Sequence, residues 1–150
     1  MYLYDKRDYQ ILTRQTHAMN TLQSFNLSPN DPRWPILINQ ALQVADHMEF
    51  NVLYLKPGQE LEVLLQRFSG MVHTAPTERY YYSGKRIRFP ISPGLTAYVK
   101  RRKFENWINF VMEDPAFTLA DQEILATISH EMMCGISPLH FPAIARDLMD

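Results

Sequence analysis

The chain has 150 residues, 46% of them hydrophobic and 21% charged, with 15 Lys and Arg against 16 Asp and Glu and a net charge of −1. This length and composition predict one compact domain, residues 1–150, with a core of its own, and exclude a disordered chain or a disulfide-stapled miniature. Cys134 is the only cysteine, so no intrachain disulfide is possible.

No apolar run approaches the ~18 residues of a membrane span, and Asp5 and Asp8 do not suit a signal peptide. The expectation is a soluble, cytoplasmic protein with no membrane partner. The near-zero net charge conceals an asymmetry. Residues 1–78 hold eight acids and six basic side chains, a net of −2. Residues 79–103 hold eight Lys and Arg and no acid. Residues 104–150 hold eight acids and Arg146 alone, a net of −7. Blocks of this kind bear on partners more than on fold.

In chain order, the spacing of Tyr9, Leu12, Met19 and Leu22 predicts a helix over 5–24. Residues 26–35, rich in Asn, Pro and Asp, predict a loop. A second helix follows over 36–48, with Pro35 in its first turn and Leu37, Ile38, Ala41, Leu42 and Ala45 facing inward. The period then shortens. Residues 50–55 are apolar on both faces after Asn51 and predict an interior strand. The Pro57-Gly58 turn and the alternation over 60–68 predict a hairpin partner for it. Residues 71–74 predict a short strand.

Residues 80–89 predict a second hairpin turning at Ser83-Gly84. In that register Tyr81 faces Arg86, Tyr80 faces Ile87 and Arg79 faces Arg88. Tyr80, Tyr82, Ile87 and Phe89 then point inward, while Arg79, Tyr81, Arg86 and Arg88 point outward. A helix is predicted over 95–112, stopped by Asp114-Pro115, with Leu95, Val99, Trp107, Ile108 and Val111 inward. Thr118 and Asp121 suggest the start of another helix, with Ile124, Leu125, Ile128 and Met132 buried. After a turn at 135–138, residues 139–149 predict a last helix. The fold class is α+β: an antiparallel sheet of about four to five strands between two N-terminal and three C-terminal helices.

The basic stretch carries the functional reading. Guanidinium groups bind carboxylate and phosphate, and an exposed ring can stack on a base. Arg79, Tyr81, Arg86, Arg88, Lys100, Arg101 and Lys103 are the candidate partner-binding residues. The partner is an acidic protein surface or a nucleic acid, and a homodimer is compatible with either. The competing reading is a solvated face, or one neutralised by the acidic C-terminal third. No cofactor is predicted. His130, Cys134 and His140 are the one candidate metal cluster, short of the four ligands of a structural zinc site, and read as a buried thiol with two ordinary histidines. An enzyme using Cys134 ranks last, because no nucleophile motif accompanies it.

Several stretches resemble the GAF family of sensor domains over about 36–130. The 37–48 helix leads into Phe50-Asn-Val-Leu-Tyr-Leu, a Pro-Gly turn and Glu60-Leu-Glu-Val-Leu. Pro93-Gly94-Leu95 looks like that family's Gly-Leu helix start, and 117–128 looks like its closing helix. The family places more strands between those two elements than 104–116 provides. The resemblance implies a small-ligand sensor or a dimerisation module and assigns no ligand residue. The leading expectation is a non-catalytic regulatory or adaptor domain.

Overall fold

The computed structural model describes residues 22–52, 67, 73–74, 85–108 and 112–150. One antiparallel sheet organises them. Its strands are β1 (Gln23–Asn26), β2 (His47–Val52), β3 (His73–Thr74), β4 (Lys85–Pro90), β5 (Met112–Leu119), β6 (Gln122–Ile128) and β7 (Met133–Ile136). The spatial order is β1-β7-β6-β5-β2-β4-β3. The helices are α1 (Arg33–Val44), α2 (Pro93–Lys100) and α3 (Pro142–Met149). The class is α+β, but the predicted arrangement is overturned. Among the described residues the sheet has seven strands where four to five were expected, and the helices are interspersed among them instead of flanking them as two and three.

α1 buries the predicted face, Leu37, Ile38, Ala41 and Leu42, together with Trp34. It begins three residues before the expected start, and Met48 lies in β2. Asp31 explains the early start. Its carboxylate accepts from the Ser28 N–H at 3.0 Å, the Arg33 N–H at 3.0 Å and the Arg33 Nε at 2.9 Å. This satisfies backbone donors at the helix entrance that would otherwise lack partners. The Arg33 side chain lies over the Phe25 ring at 5.0 Å, which ties the helix to β1.

Hydrogen bonding from Arg33 holds the Asp31 carboxyl well below the usual carboxylate range against the opposing effect of burial, helped by the backbone N–H groups of Arg33 and Ser28. A depressed carboxyl contributes stability above its unfolded value of about 3.9. That contribution is lost as pH falls from about 4 through the folded value. Asp31→Asn is therefore expected to cost about 1–2 kcal/mol at neutral pH. The gap to wild type should shrink on acidification, followed by urea unfolding from pH 7 to pH 3. A gap independent of pH would show that the charge of Asp31 does not act in this way.

β2 is an interior strand, as predicted, but among its described residues only Met48, Phe50 and Val52 form an apolar face, and the other face carries the buried Glu49 and Asn51. It pairs with β4 on one side and β5 on the other, both antiparallel. This overturns the expected hairpin with 60–68 over Phe50 to Val52, because both edges of β2 are already occupied there. Residues 53–66, including Glu60 and Glu62, lie outside the described residues, and Arg67 is helical. The 80–89 hairpin is overturned in register for the same reason. Arg88 lies opposite His73 and Ile87 opposite Thr74, with β2 on the other edge of β4. Arg79 and Tyr80 to Tyr82 lie outside the described residues, as do 5–21. Gln23 and Ser24, expected in the first helix, are strand.

α2 starts where Ser92 accepts from the Leu95 N–H, with Pro93 in the first turn. It ends at Lys100, far short of the predicted 112, and Phe104–Trp107 forms a separate 3-10 turn. Leu95, Val99, Phe104 and Trp107 are all buried. The predicted helix over 118–132 is instead the β5–β6 hairpin and a 3-10 turn at Ser129–Glu131. Ala120 and Asp121 have φ of 49° and 64° and lie between the paired residues Leu119 and Gln122. Two left-handed residues of this kind match the strand twist. Asp46 braces the turn, its Oδ2 accepting from the Ala120 N–H at 3.1 Å. Gly135 and Ile136, expected in a turn, belong to β7.

The helices share one face of the sheet. The core there includes Met48, Phe50, Val52, Phe89, Phe117, Leu125 and Ile136 from the strands. Phe50 stacks on Phe89 at 5.2 Å and meets Trp107 at 5.6 Å. α3 closes the end near β1, where the Gln23 Nε2 donates to the Ala145 carbonyl at 3.2 Å.

Candidate functional site

Alternation along β2 and β4 sends Glu49, Asn51, Arg86 and Arg88 to the face away from the helices. The register sets Glu49 opposite Arg88 and Asn51 opposite Arg86. The resulting contacts are short and buried. Arg86 Nε donates to Glu49 Oε2 at 2.8 Å, and Arg86 Nη1 donates to Asn51 Oδ1 at 2.6 Å. Arg86 is 4% exposed and Glu49 3%. The sequence reading placed Arg86 and Arg88 outward. Their shared face is as expected, but the solvent is not there: Arg86 is buried and the Arg88 side chain is 13% exposed.

β5 supplies the rest of this polar layer through a bulge. Glu49 pairs with Ala116 and Asn51 with Glu113, so β5 carries an extra residue between them. Asp114 takes φ of 53° at that point. Pro115, which has no N–H for a ladder, is tolerated beside a bulge. The predicted helix stop is thus a kink inside a strand. The kink aims Asp114 inward. Its Oδ2 accepts from Asn51 Nδ2 at 3.0 Å and its Oδ1 from the Ser129 N–H at 2.6 Å. Its own N–H donates to Ser129 Oγ at 2.9 Å.

Arg88 finishes the network at its rim, 2.6 Å from Asp121 Oδ1. Asp121 sits in the β5–β6 turn, so the acidic C-terminal third neutralises part of the basic stretch. Asp46, near the same turn, is pushed up by burial. The His47 contact, the Ala120 N–H and the Arg88 charge outweigh that and leave it below its ordinary value.

The other half of the basic stretch behaves differently. Lys100, Arg101 and Lys103, at the end of α2, are exposed. None forms an ion pair with a described residue. Arg102 between them is half-buried. Its guanidinium lies 4.4 Å from the Trp107 ring and 5.5 Å from the Tyr98 ring, and it donates to Tyr98 Oη at 3.1 Å. Arg102 therefore anchors the segment while its neighbours point outward. A depression of about 240 Å³ adjoins them, lined by Trp34, Pro35, Ile38, Asn39, Lys100 and Arg102. The sequence reading missed this bracing role of Arg102, although Trp107 at i+5 was within reach of it.

Arg79 and Tyr81 lie outside the described residues. Cys134 is buried in β7, and burial pushes its thiol far up, which does not suit a thiolate nucleophile. His130 does not share a helix face with Cys134. It lies in the 3-10 turn, with Nδ1 3.0 Å from Glu113 Oε2. His140 Nδ1 is 3.0 Å from Ser137 Oγ. Among the described residues no three His, Cys, Asp or Glu side chains are grouped to hold a metal ion. No described helix is long and apolar enough to cross a membrane.

Fold and site together define a class, an antiparallel α+β domain with a buried ionic layer and a basic helix end. No protein-family model matches the chain, and neither a curated protein nor a solved structure matches it.

Proposed function

We propose that the chain is a non-catalytic regulatory or adaptor domain that takes an acidic partner at the end of α2. The observation that carries this reading is the division of the basic stretch. Arg86 and Arg88 are neutralised within the fold by Glu49 and Asp121. Lys100, Arg101 and Lys103 stand exposed with no such partner among the described residues. Three adjacent cations on a segment anchored by Arg102 suit carboxylate or phosphate groups presented together. A net charge of −1 argues for an acidic protein surface ahead of nucleic acid, whose binders are commonly basic overall.

The test measures anisotropy of two labelled probes, a poly-glutamate peptide and a single-stranded DNA oligonucleotide, at low salt. Lys100→Glu/Arg101→Glu/Lys103→Glu should abolish binding of whichever probe the wild type takes. If that probe is the oligonucleotide, Lys100→Ala/Arg101→Ala/Lys103→Ala, which removes three phosphate contacts without adding repulsion, should bind more weakly with a salt slope lower by about 2. A wild type that binds neither probe, or a triple variant that binds as well as wild type, sinks the reading.

A further inference from the structure

Two stretches frame the depression beside Lys100, and neither neutralises it. α1 beyond Arg33 carries no charged residue, and residues 93–104 carry Lys100, Arg101, Arg102 and Lys103 with no acid. Glu105 follows them in the 3-10 turn, and it forms no ion pair with a described residue. The positive charge of this corner is therefore left for something outside the described residues to meet.

The depression itself is more than a charged surface. Trp34 and Ile38, both rooted in the core, give it apolar wall, and the exposed Pro35 stands beside them. Lys100 and Arg102 complete the lining. Arg102 is fixed in place by the Trp107 ring at 4.4 Å and the Tyr98 hydroxyl at 3.1 Å, so the recess is largely formed before anything binds. Its volume of about 240 Å³ falls below the ~300–1,000 Å³ of pockets that hold drug-sized molecules and cofactors. It has room for one side chain.

An acidic partner needs such a recess. Exposed ion pairs are individually weak and are screened by salt. Specific complexes take most of their affinity from a few large side chains desolvated in pockets, with the charges around them. An aromatic ring matches this lining better than an aliphatic chain. Both can pack on Trp34 and Pro35, but only the ring also attracts the cations of Lys100 and Arg102 to its face.

We infer that the acidic partner inserts an aromatic side chain into the depression between α1 and the end of α2, with carboxylates flanking that ring on Lys100, Arg101 and Lys103. The inference rests on the acidic-partner reading and adds an anchor to it. Anisotropy at near-physiological salt tests it with three labelled peptides of one length: all glutamate, glutamate with a central phenylalanine, and phenylalanine among serines. The phenylalanine-centred acidic peptide should bind the wild type about tenfold or more tighter than the all-glutamate peptide, and the serine peptide should bind most weakly. Asn39 is exposed and lines the same depression. Asn39→Trp, which fills the recess and keeps every cation, should bring the two acidic peptides to the same affinity. Equal binding of both acidic peptides by the wild type overturns the anchor and leaves the acidic-partner reading standing. Binding of neither sinks that reading and the anchor with it. A serine peptide that binds as tightly as its acidic counterpart removes the role of charge and overturns the inference. A phenylalanine advantage that persists in Asn39→Trp, with the fold checked by thermal unfolding, places the ring elsewhere and overturns it too.

Discussion

Arg86→Met is expected to destabilise the fold by about 3–5 kcal/mol. Arg86 donates both to Glu49 Oε2 and to Asn51 Oδ1 in the interior of the sheet. Removing it leaves a carboxylate and an amide oxygen facing each other in a region with almost no solvent. The desolvation of Glu49 is then offset only in part, by the longer 4.0 Å contact from Arg88 Nε and its remaining contacts. Replacing the pair together, Glu49→Leu/Arg86→Met, should recover much of the loss, because two uncharged side chains of similar volume need no such compensation. Asn51 still loses its donor to Oδ1, which costs about 1–3 kcal/mol, so recovery should be partial. Urea unfolding of the wild type, both single variants and the double variant measures this as a cycle. Arg86→Met within about 1 kcal/mol of wild type would show that the ionic layer is solvated in a way its burial excludes.

Why this layer was not legible in the sequence is a question of range. Alternation alone placed Arg86 and Arg88 on one face of β4 and Phe89 on the other, and the structure agrees. Outward meant solvent only if nothing acidic lay across from them. Glu49 is 37 residues away from Arg86 and Asp121 is 33 from Arg88, and no local pattern joins them.

The readable elements were those whose signal is local. α1 announced its buried face at helical spacing. β2 announced its core face through Phe50 and Val52, while the burial of Glu49 and Asn51 on its other face had no local signal. β6 is the opposite case. Ile124, Leu125 and Ile128 satisfy helical spacing, yet Ile124 to Ile128 are all buried in the strand. A strand covered on both faces loses the alternation that distinguishes it from a helix. Its turn gave no warning either. Ala120-Asp121 contains no glycine or asparagine, and the brace that holds it comes from Asp46, 74 residues away. Asp114-Pro115 reads as a stop everywhere except at a bulge, and only the shifted pairing with β2 makes it one.

Trp107→Ala should cost about 3–5 kcal/mol and lower Tm by about 10 °C. Trp107 is fully buried and touches Phe50, which in turn stacks on Phe89, so one ring links the 3-10 turn to β2 and β4. Truncation opens a cavity between rigid strands that cannot close around it. Trp107→Phe separates packing from polarity. The indole Nε1 has no hydrogen-bond partner among the described residues, so phenylalanine removes an unsatisfied buried donor along with some apolar area. Its cost should therefore be smaller, about 1–2 kcal/mol. The outer side of the ring carries the second consequence. Arg102 rests on it at 4.4 Å, and a phenyl ring holds a guanidinium less strongly than an indole. With Arg102 loosened, Lys100, Arg101 and Lys103 sit on a less ordered segment, so Trp107→Phe should weaken binding of the acidic probe while the fold stands. Thermal unfolding and anisotropy on the same two variants read both effects. If phenylalanine destabilises as much as alanine, the indole N–H has a role in the core that its surroundings do not account for.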